Sequence, residues 1–297
     1  MHHVGYFLID QGRPALERLV QMRLTAGVIV EKFRRRHPLT IYVSVITVLT
    51  MFILVTFRKI NGDPELRLWS ACLLAIPVLM CAVQLSIGVV HWLMTRLISP
   101  QALPRMDFLE GIPAEHRTLV VVPTMLSNAS AVERLLEGLE IRYLANRQSN
   151  LHLALLTDLE DAAEMTCPGD AALIEQVSDG IRELALKYNE DRTDIFFLMH
   201  RDRRWNPQEA VWMGYERKRG KLADLNAALR GATDRFSHVV GNLSALQQVR
   251  YVITLDTDTQ LPRDSARDMV AAMAHPLNRP VLGESGEHVI QGYTILQ

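Results

Sequence analysis

Two long runs without a charged residue constrain this 297-residue chain more than any other feature. Leu39 to Phe57 is a run of 19 residues, and Leu68 to Thr95 is a run of 28. A helix needs about 20 apolar residues to cross the hydrocarbon core of a bilayer. The sequence therefore predicts two transmembrane helices within residues 38–96, joined by a short external loop. The alternative is two buried helices of a soluble core, but core helices are rarely uncharged on every face.

Basic residues around these runs predict the orientation of the chain, because short cytoplasmic flanks carry an excess of Lys and Arg. A basic cluster precedes the first run, whereas the loop from Arg58 to Arg67 mixes basic and acidic residues. We therefore expect residues 1–37, which show an amphipathic helical pattern up to residue 33, to be cytoplasmic. The chain after Arg96 should be cytoplasmic again. The basic cluster consists of Lys32, Arg34, Arg35 and Arg36.

After a proline-containing linker at residues 97–116, the pattern changes to strands alternating with helices. Continuous apolar runs, typical of buried parallel strands, are separated by amphipathic segments that Ser130 and Lys221 are expected to begin. This order predicts an α/β fold with a doubly wound, mostly parallel sheet over residues 117–297. Ligands bind at the carboxyl ends of the strands in such sheets. The predicted strands are Thr118–Pro123, Leu151–Thr157, Ile195–Met199, Tyr251–Leu255 and Val289–Leu296.

The composition argues against several classes of function. The 32 Lys and Arg residues balance 33 Asp and Glu residues, whereas a nucleic-acid binder would be strongly basic. Three cysteines are too few for a disulfide framework. Neither they nor the 10 histidines have the spacing of a metal site. We therefore expect no nucleic-acid partner.

Two carboxylates, Asp256 and Asp258, flank one residue at the end of a predicted strand. Such a pair can hold a hard divalent cation together with phosphate oxygens, and the cation would neutralise a departing diphosphate. A pair of Asp residues in a turn that caps a helix is the alternative. The position after a buried strand and before Leu261 favours the metal site.

A basic element runs from Lys218 to Asn226, where several cations precede a helix. The free N–H groups at the start of a helix also favour anions, so this element is a candidate diphosphate clamp. A solvated basic turn is the alternative. Thr124 and Asp158 follow the first two strands and are placed to touch a nucleoside, although strand-end caps would look the same.

These elements, in this order, resemble a GT-A nucleotide-sugar glycosyltransferase and, more narrowly, the cyclic β-1,2-glucan synthases of bacterial inner membranes. The likeness covers nearly the whole chain, and its long basic run is specific. Tyr215 is a mild departure, because the family more often has Trp there. The motifs that carry the resemblance are Gly5–Asp10 with Gly12, Trp205–Pro207, Trp212–Leu222 and Leu255–Pro262.

The resemblance implies a UDP-glucose donor, Mg²⁺ or Mn²⁺, and a growing β-1,2-glucan as acceptor, with inversion at the transferred glucose. Thr124 and Asp158 would contact the uridine. Lys218 and Lys221, with Asn226 in the same element, would serve the diphosphate. Asp256 would lie near the ribose and the metal, and Asp258 would bind the metal.

The resemblance also implies a general base and further segments downstream of Gln297. The chain therefore resembles an N-terminal fragment with an incomplete glycosyltransferase domain, expected to be inactive alone. Two alternatives stay open. One is another processive membrane glucan synthase, and the other is a truncated, non-catalytic nucleotide-sugar-binding membrane protein.

Overall fold

The computed structural model describes residues 6, 12–20, 27, 29, 33, 36–61, 68–98, 102–188, 194–283 and 285–297. The chain divides into two compact units, Met1–Ala102 and Leu103–Gln297. Most of the motif at residues 5–10, most of the amphipathic segment before residue 33, and loop residues 62–67 lie outside the described part.

The first unit contains two helices that are long and apolar enough to cross a membrane. A short helix α1 (Arg13–Leu19) precedes them, followed by α2 (Pro38–Asn61) and α3 (Leu68–Leu97). In the most apolar 18-residue stretch of each helix, only 6% is buried in α2 and 17% in α3. Helices of a soluble core would be buried, so this exposure argues for lipid around them. The prediction of two apolar membrane-length helices is confirmed.

Polar side chains join α2 to α3. The Thr50 hydroxyl donates to Ser86 Oγ over 3.0 Å, and Ser86 donates to the Ala82 carbonyl over 2.7 Å. Nearer one end of the pair, Tyr42 Oη lies 2.8 Å from His91 Nε2. Hydrogen bonds of this kind replace water for polar groups at hydrocarbon depth. They therefore fix which faces of the two helices meet.

The second unit is an α/β domain whose main sheet has five strands, in the order β6 (His238–Val240), β3 (Phe196–His200), β2 (Leu151–Leu159), β1 (Thr118–Leu126) and β7 (Tyr251–Thr254). Strands β3, β2, β1 and β7 are parallel, and β6 is antiparallel to β3 at one edge. The predicted α/β class with a mostly parallel sheet is confirmed. The elements are β1 (Thr118–Leu126), α4 (Ala129–Ala145), β2 (Leu151–Leu159), α5 (Asp170–Lys187), β3 (Phe196–His200), β4 (Arg204–Asn206), β5 (Val211–Met213), α6 (Arg217–Leu229), β6 (His238–Val240), β7 (Tyr251–Thr254), α7 (Ser265–Ala274), β8 (Val281–Leu282) and β9 (Val289–Gln291).

Apolar side chains cover both faces of the main sheet, which makes three layers. Val120 and Val122 of β1 pack on the side of α4, α5 and α7. Leu119 and Val121 point to the other side, where Leu225 of α6 packs. The uninterrupted apolar run of β1 is therefore explained by burial on both faces.

Some local predictions are wrong. The expected final strand, Val289–Leu296, is only β9, and it pairs with β8 in a separate two-stranded ribbon rather than extending the main sheet. Asn128, not Ser130, caps α4, because its side chain accepts the Ala131 N–H. Helix α6 begins at Arg217, four residues before the predicted Lys221, so the basic run lies in its first turn.

Candidate functional site

The predicted site residues at strand ends lie along one edge of the main sheet. Pairing places Thr124 opposite Thr157, and Asp158 opposite Met125, at the carboxyl ends of β1 and β2. Leu255 continues β7 beyond its last paired residue by donating its N–H to Val121. Asp256 therefore follows at the same edge. Parallel pairing is what brings these distant residues of the sequence together.

A buried charge cluster lies at the ends of β2 and β3. Arg201 donates from Nε and Nη2 to the two carboxylate oxygens of Asp158, each over 3.0 Å. Arg201 Nη1 donates to Asp224 of α6 over 2.7 Å. Lys221 Nζ lies 3.0 Å from Asp158 Oδ2. We call these four residues the buried cluster; two cations and two carboxylates balance each other.

Lys221 connects this cluster to the first strand. Its ammonium donates to the Thr124 carbonyl over 2.5 Å as well as to Asp158, and only 3% of the residue is exposed. Burial lowers the pKa of Lys221, and the neighbouring Asp158 carboxylate opposes that shift. The structure thus brings Thr124, Asp158 and Lys221 together. It does so through contacts among the protein's own groups.

The buried cluster also fixes the turn that leads into α6. Arg201 Nη2 donates to the carbonyls of Tyr215 and Arg217. Glu216 and Arg217 both have positive φ, 51° and 47°, in the left-handed region that costs energy for residues with a side chain. At Gly214, a Cβ would come within 2.2 Å of Asp158 Oδ2. The strained turn therefore depends on Arg201 for its shape.

An exposed cluster lies beside this turn. Lys218 Nζ donates to Asp256 Oδ1 over 2.5 Å, while 49% of the Lys218 side chain and 61% of the Asp256 side chain are exposed. Asp258 is exposed as well. Lys218 lies in the first turn of α6, and this first turn contains no acidic residue. We call Lys218, Asp256 and Asp258 the exposed cluster; it sets carboxylates beside a cationic helix N-terminus, which favours anions.

The loop that carries Asp256 and Asp258 rests on helix α4. The guanidinium of Arg142 donates to the carbonyls of Asp256, Thr257 and Thr259. Asn146, one turn later, donates to the carbonyls of Leu261 and Pro262. Both residues are buried. Helix α4 thereby fixes the backbone of the loop on its buried side, whereas the carboxylates of Asp256 and Asp258 are exposed.

These carboxylates are suitable for a divalent cation that is shared with a substrate. Within the described residues, no group of three His, Cys, Asp or Glu side chains is arranged to hold a metal ion. Mg²⁺ sites that serve nucleotide chemistry use one or two carboxylates, and phosphate oxygens and water complete the shell. Asp256 and Asp258 fit that donor set.

An open cleft of about 530 Å³ lies at the same edge, between the segments that follow β1 and β2. Ser127, Asn128, Glu160 and Asp161 contribute to its walls. Its floor includes Arg203, which forms a buried ion pair with Asp170 at the start of α5. The volume falls in the range of small-molecule sites in proteins.

Sequence reasoning missed Arg201, Asp224 and Arg142. Arg201 directly follows a buried strand, and the rule that selected Asp158 and Asp256 would have selected it too. Arg142 lies three residues after the buried Leu139, at a helix position where an apolar residue is expected. Asn226 was predicted for the site, and the structure places it as an exposed residue of α6. Its role stays a prediction.

Comparison with known proteins finds a related sequence. No protein-family model matches the chain. Over 301 aligned positions, which include 99% of this chain, it is 35% identical to the cyclic beta-(1,2)-glucan synthase NdvB of Rhizobium meliloti. The chain is related to a cyclic β-(1,2)-glucan synthase. The resemblance drawn from the motifs is confirmed.

The match to NdvB covers nearly all of this chain but only a small part of NdvB. It runs along nearly all of this chain, so it includes the two apolar helices as well as the α/β unit. The chain spans only 10% of the length of NdvB.

Proposed function

We propose that this chain forms the donor-binding part of a membrane glycosyltransferase that transfers glucose from UDP-glucose to a growing β-1,2-glucan. The observation that carries the proposal is the exposed cluster, in which Lys218 bonds to Asp256 beside the start of α6. Two carboxylates for a metal and a cationic helix N-terminus for a diphosphate are adjacent there. The relationship to a glucan synthase supports glucose as the transferred group.

In this proposal each residue has a defined role. Asp258 and Asp256 bind Mg²⁺ or Mn²⁺, which supplies charge to stabilise the departing UDP. Lys218 leaves Asp256 and contacts the diphosphate, while Asp256 also lies near the ribose. Thr124 and the open cleft take the uridine, and Lys221 and Asp158 support this end of the site, since Lys221 bonds to both the Thr124 carbonyl and Asp158. Asn226 extends the polar surface of α6 toward the donor.

The chemistry of the acceptor follows from the linkage. A β linkage made from the α-linked glucose of UDP-glucose requires inversion at the anomeric carbon. The attacking glucan hydroxyl must also lose its proton to a general base. We assign that role to no residue of this chain.

We further propose that α2 and α3 lie in a bacterial inner membrane with the second unit on the cytoplasmic side. The basic residues before α2 support this orientation, because positive flanks stay in the cytoplasm. The lipid bilayer is then a partner of the first unit. UDP-glucose and the glucan acceptor are partners of the second.

The test is binding of UDP-glucose to the purified chain in detergent, measured calorimetrically with and without Mn²⁺. We expect binding that depends on Mn²⁺ and is lost in Asp258→Asn, since the amide is a poorer ligand for a hard cation. Asp234→Asn is the matched control, because Asp234 is 81% exposed and pairs with Arg235. It removes the same charge and should bind like the wild type.

The outcomes separate the alternatives. Binding in both variants, or binding without metal, would overturn the role of Asp258. Preference for another nucleotide sugar over UDP-glucose would overturn the donor but leave the metal site. A folded chain that binds no nucleotide sugar at all would contradict the proposal.

A further inference from the structure

Arg142 occupies an unusual place for a cation, on the buried side of α4 beneath the exposed cluster. Only 6% of the residue is exposed. Its Nη2 donates to the carbonyls of Thr257 over 2.8 Å and Thr259 over 2.7 Å, with a longer contact of 3.4 Å to Asp256. Its Nε also donates to Thr259 over 3.1 Å. One side chain thus binds three carbonyls of the loop that carries Asp256 and Asp258.

Asn146 continues this arrangement one helical turn later. Its Nδ2 donates to the Leu261 and Pro262 carbonyls over 3.1 Å each. Its Oδ1 accepts the Ala266 N–H over 3.1 Å at the start of α7. The segment from Asp256 to Ala266 is therefore fixed at both halves by α4. Of the two residues, only Arg142 contacts the half that carries the acidic pair.

An arginine suits this task for a chemical reason. Its planar guanidinium offers five N–H donors in a fixed geometry, whereas a lysine offers three donors from one point. All three carbonyls accept from Nη2, and Nε adds a second hydrogen bond to Thr259, so two nitrogens of the guanidinium bind the loop at once. Gly138 leaves room for it, because a Cβ there would lie 2.8 Å from Arg142 Nη1. The backbone conformation of the loop therefore depends on this guanidinium.

We infer that Arg142 is a positioning residue that sets the affinity of Asp256 and Asp258 for a divalent cation by fixing the backbone between them. This inference rests on the proposed function, since it assumes that the two carboxylates bind the metal. Arg142 does not touch the metal or the donor. It acts by reducing the number of loop conformations that must be lost when the metal binds.

The charge of Arg142 acts in the opposite direction. A cation beneath the site repels an incoming divalent cation, and the Asp258 carboxylate already interacts with Arg142, opposing the lowering of its pKa by burial. If charge were the main effect, removing it would strengthen metal binding. If positioning is the main effect, removing it weakens metal binding. The two effects have opposite signs and can be measured.

The test compares Mn²⁺ binding by the 297-residue chain in detergent, followed by electron paramagnetic resonance, in Arg142→Met, Arg142→Lys and the wild type. We expect Arg142→Met to weaken Mn²⁺ binding about 10–100-fold, the range found for residues that orient metal ligands. Arg142→Lys keeps the charge but loses the fork, and should recover only part of the affinity. The matched control is Arg134→Met, which removes an exposed arginine from the same helix and should bind like the wild type.

Measurements well below the melting temperature of each variant separate positioning from general destabilisation. Unchanged or tighter Mn²⁺ binding in a folded Arg142→Met chain would overturn the inference. Full recovery in Arg142→Lys would overturn the part assigned to the guanidinium, because an ammonium that donates from one nitrogen would then fix the loop equally well. If the wild type binds no Mn²⁺, or if Asp258→Asn binds as well as the wild type, the proposed function fails instead.

Discussion

The buried cluster and the exposed cluster lie at the same edge of the main sheet and contain the same kinds of ion pair, but they have different roles. Both pair lysine or arginine with aspartate. In the buried cluster Arg201 and Asp158 share two hydrogen bonds, each has a further charged partner, and both are nearly inaccessible. In the exposed cluster a single contact joins Lys218 to Asp256, and both side chains are about half exposed or more. Burial therefore decides which ion pairs maintain the fold and which remain free to exchange a partner for a ligand.

The two clusters are also connected. Arg201 fixes the carbonyls of Tyr215 and Arg217, and the next residue is Lys218. The buried cluster thus sets the position from which the exposed one acts. Substitutions in the buried cluster should mainly lower the free energy of unfolding. Substitutions in the exposed cluster should mainly weaken ligand binding.

The largest effect is expected from Arg201→Met. The substitution leaves the buried Asp158 and the half-buried Asp224 with fewer partners, and breaking a buried pair from one side costs about 3–5 kcal/mol of unfolding free energy. Urea denaturation followed by circular dichroism measures it. Arg219→Met is the control, because Arg219 is 85% exposed and should change stability little. An equal effect of the two variants would break the distinction between the clusters.

A pH effect tests burial beside the same cluster. His200 is fully buried next to Arg201, and burial lowers its pKa from 6.5 to about 4. Between these pH values the unfolded chain binds more protons than the folded chain, so stability should fall as the pH decreases through this window. The full contribution, about 3 kcal/mol, is present above pH 6.5. Denaturation at pH 7 and pH 4.5 measures it.

The variant His200→Gln should reduce this pH dependence, since it removes the buried titrating group. His288→Gln removes an exposed histidine and serves as the control. A wild-type chain whose stability is the same at pH 7 and pH 4.5 would contradict the prediction. So would an unchanged slope in His200→Gln.

A smaller loss of stability is expected from Gly214→Ala. The added Cβ would meet Asp158 Oδ2 at 2.2 Å, and Arg201 and Lys221 prevent that carboxylate from moving away. Overpacking of this kind costs about 1–3 kcal/mol. Gly283→Ala is a fair comparison, because its nearest neighbour is a side-chain methyl of Ile290 at 3.3 Å. If Gly214→Ala is as stable as Gly283→Ala, the Asp158 carboxylate can move more easily than its contacts with Arg201 and Lys221 indicate.

The sequence predicts the fold class well because its strongest signals are simple. Uncharged runs indicate membrane-length helices, and apolar runs such as Thr118–Pro123 indicate strands buried on both faces. The short elements escape prediction. The β4–β5 hairpin and the antiparallel β6 are three residues each, too short for periodicity to distinguish them from loops.

The site is predictable only in part, for a physical reason. Strand ends select Asp158 and Asp256 because the carboxyl edge of a parallel sheet is a general binding position. No local pattern tells that Asp158 is paired with Arg201, 43 positions later, or that Arg142 supports a loop more than a hundred positions away. Those contacts depend on register and helix packing, which only the folded chain defines.

The smallest change in stability is expected from Lys218→Met, in the exposed cluster. An exposed ion pair contributes about 0.5 kcal/mol or less, so the variant should unfold like the wild type. UDP-glucose affinity in the presence of Mn²⁺ should fall about tenfold, the value of one hydrogen bond from a cation to a charged group. Mn²⁺ alone should bind at least as tightly, because the ammonium no longer competes for Asp256. Calorimetry of both ligands gives the two numbers. Equal weakening of Mn²⁺ and UDP-glucose would mean that Lys218 supports the loop rather than the diphosphate, and the exposed cluster would then resemble the buried one.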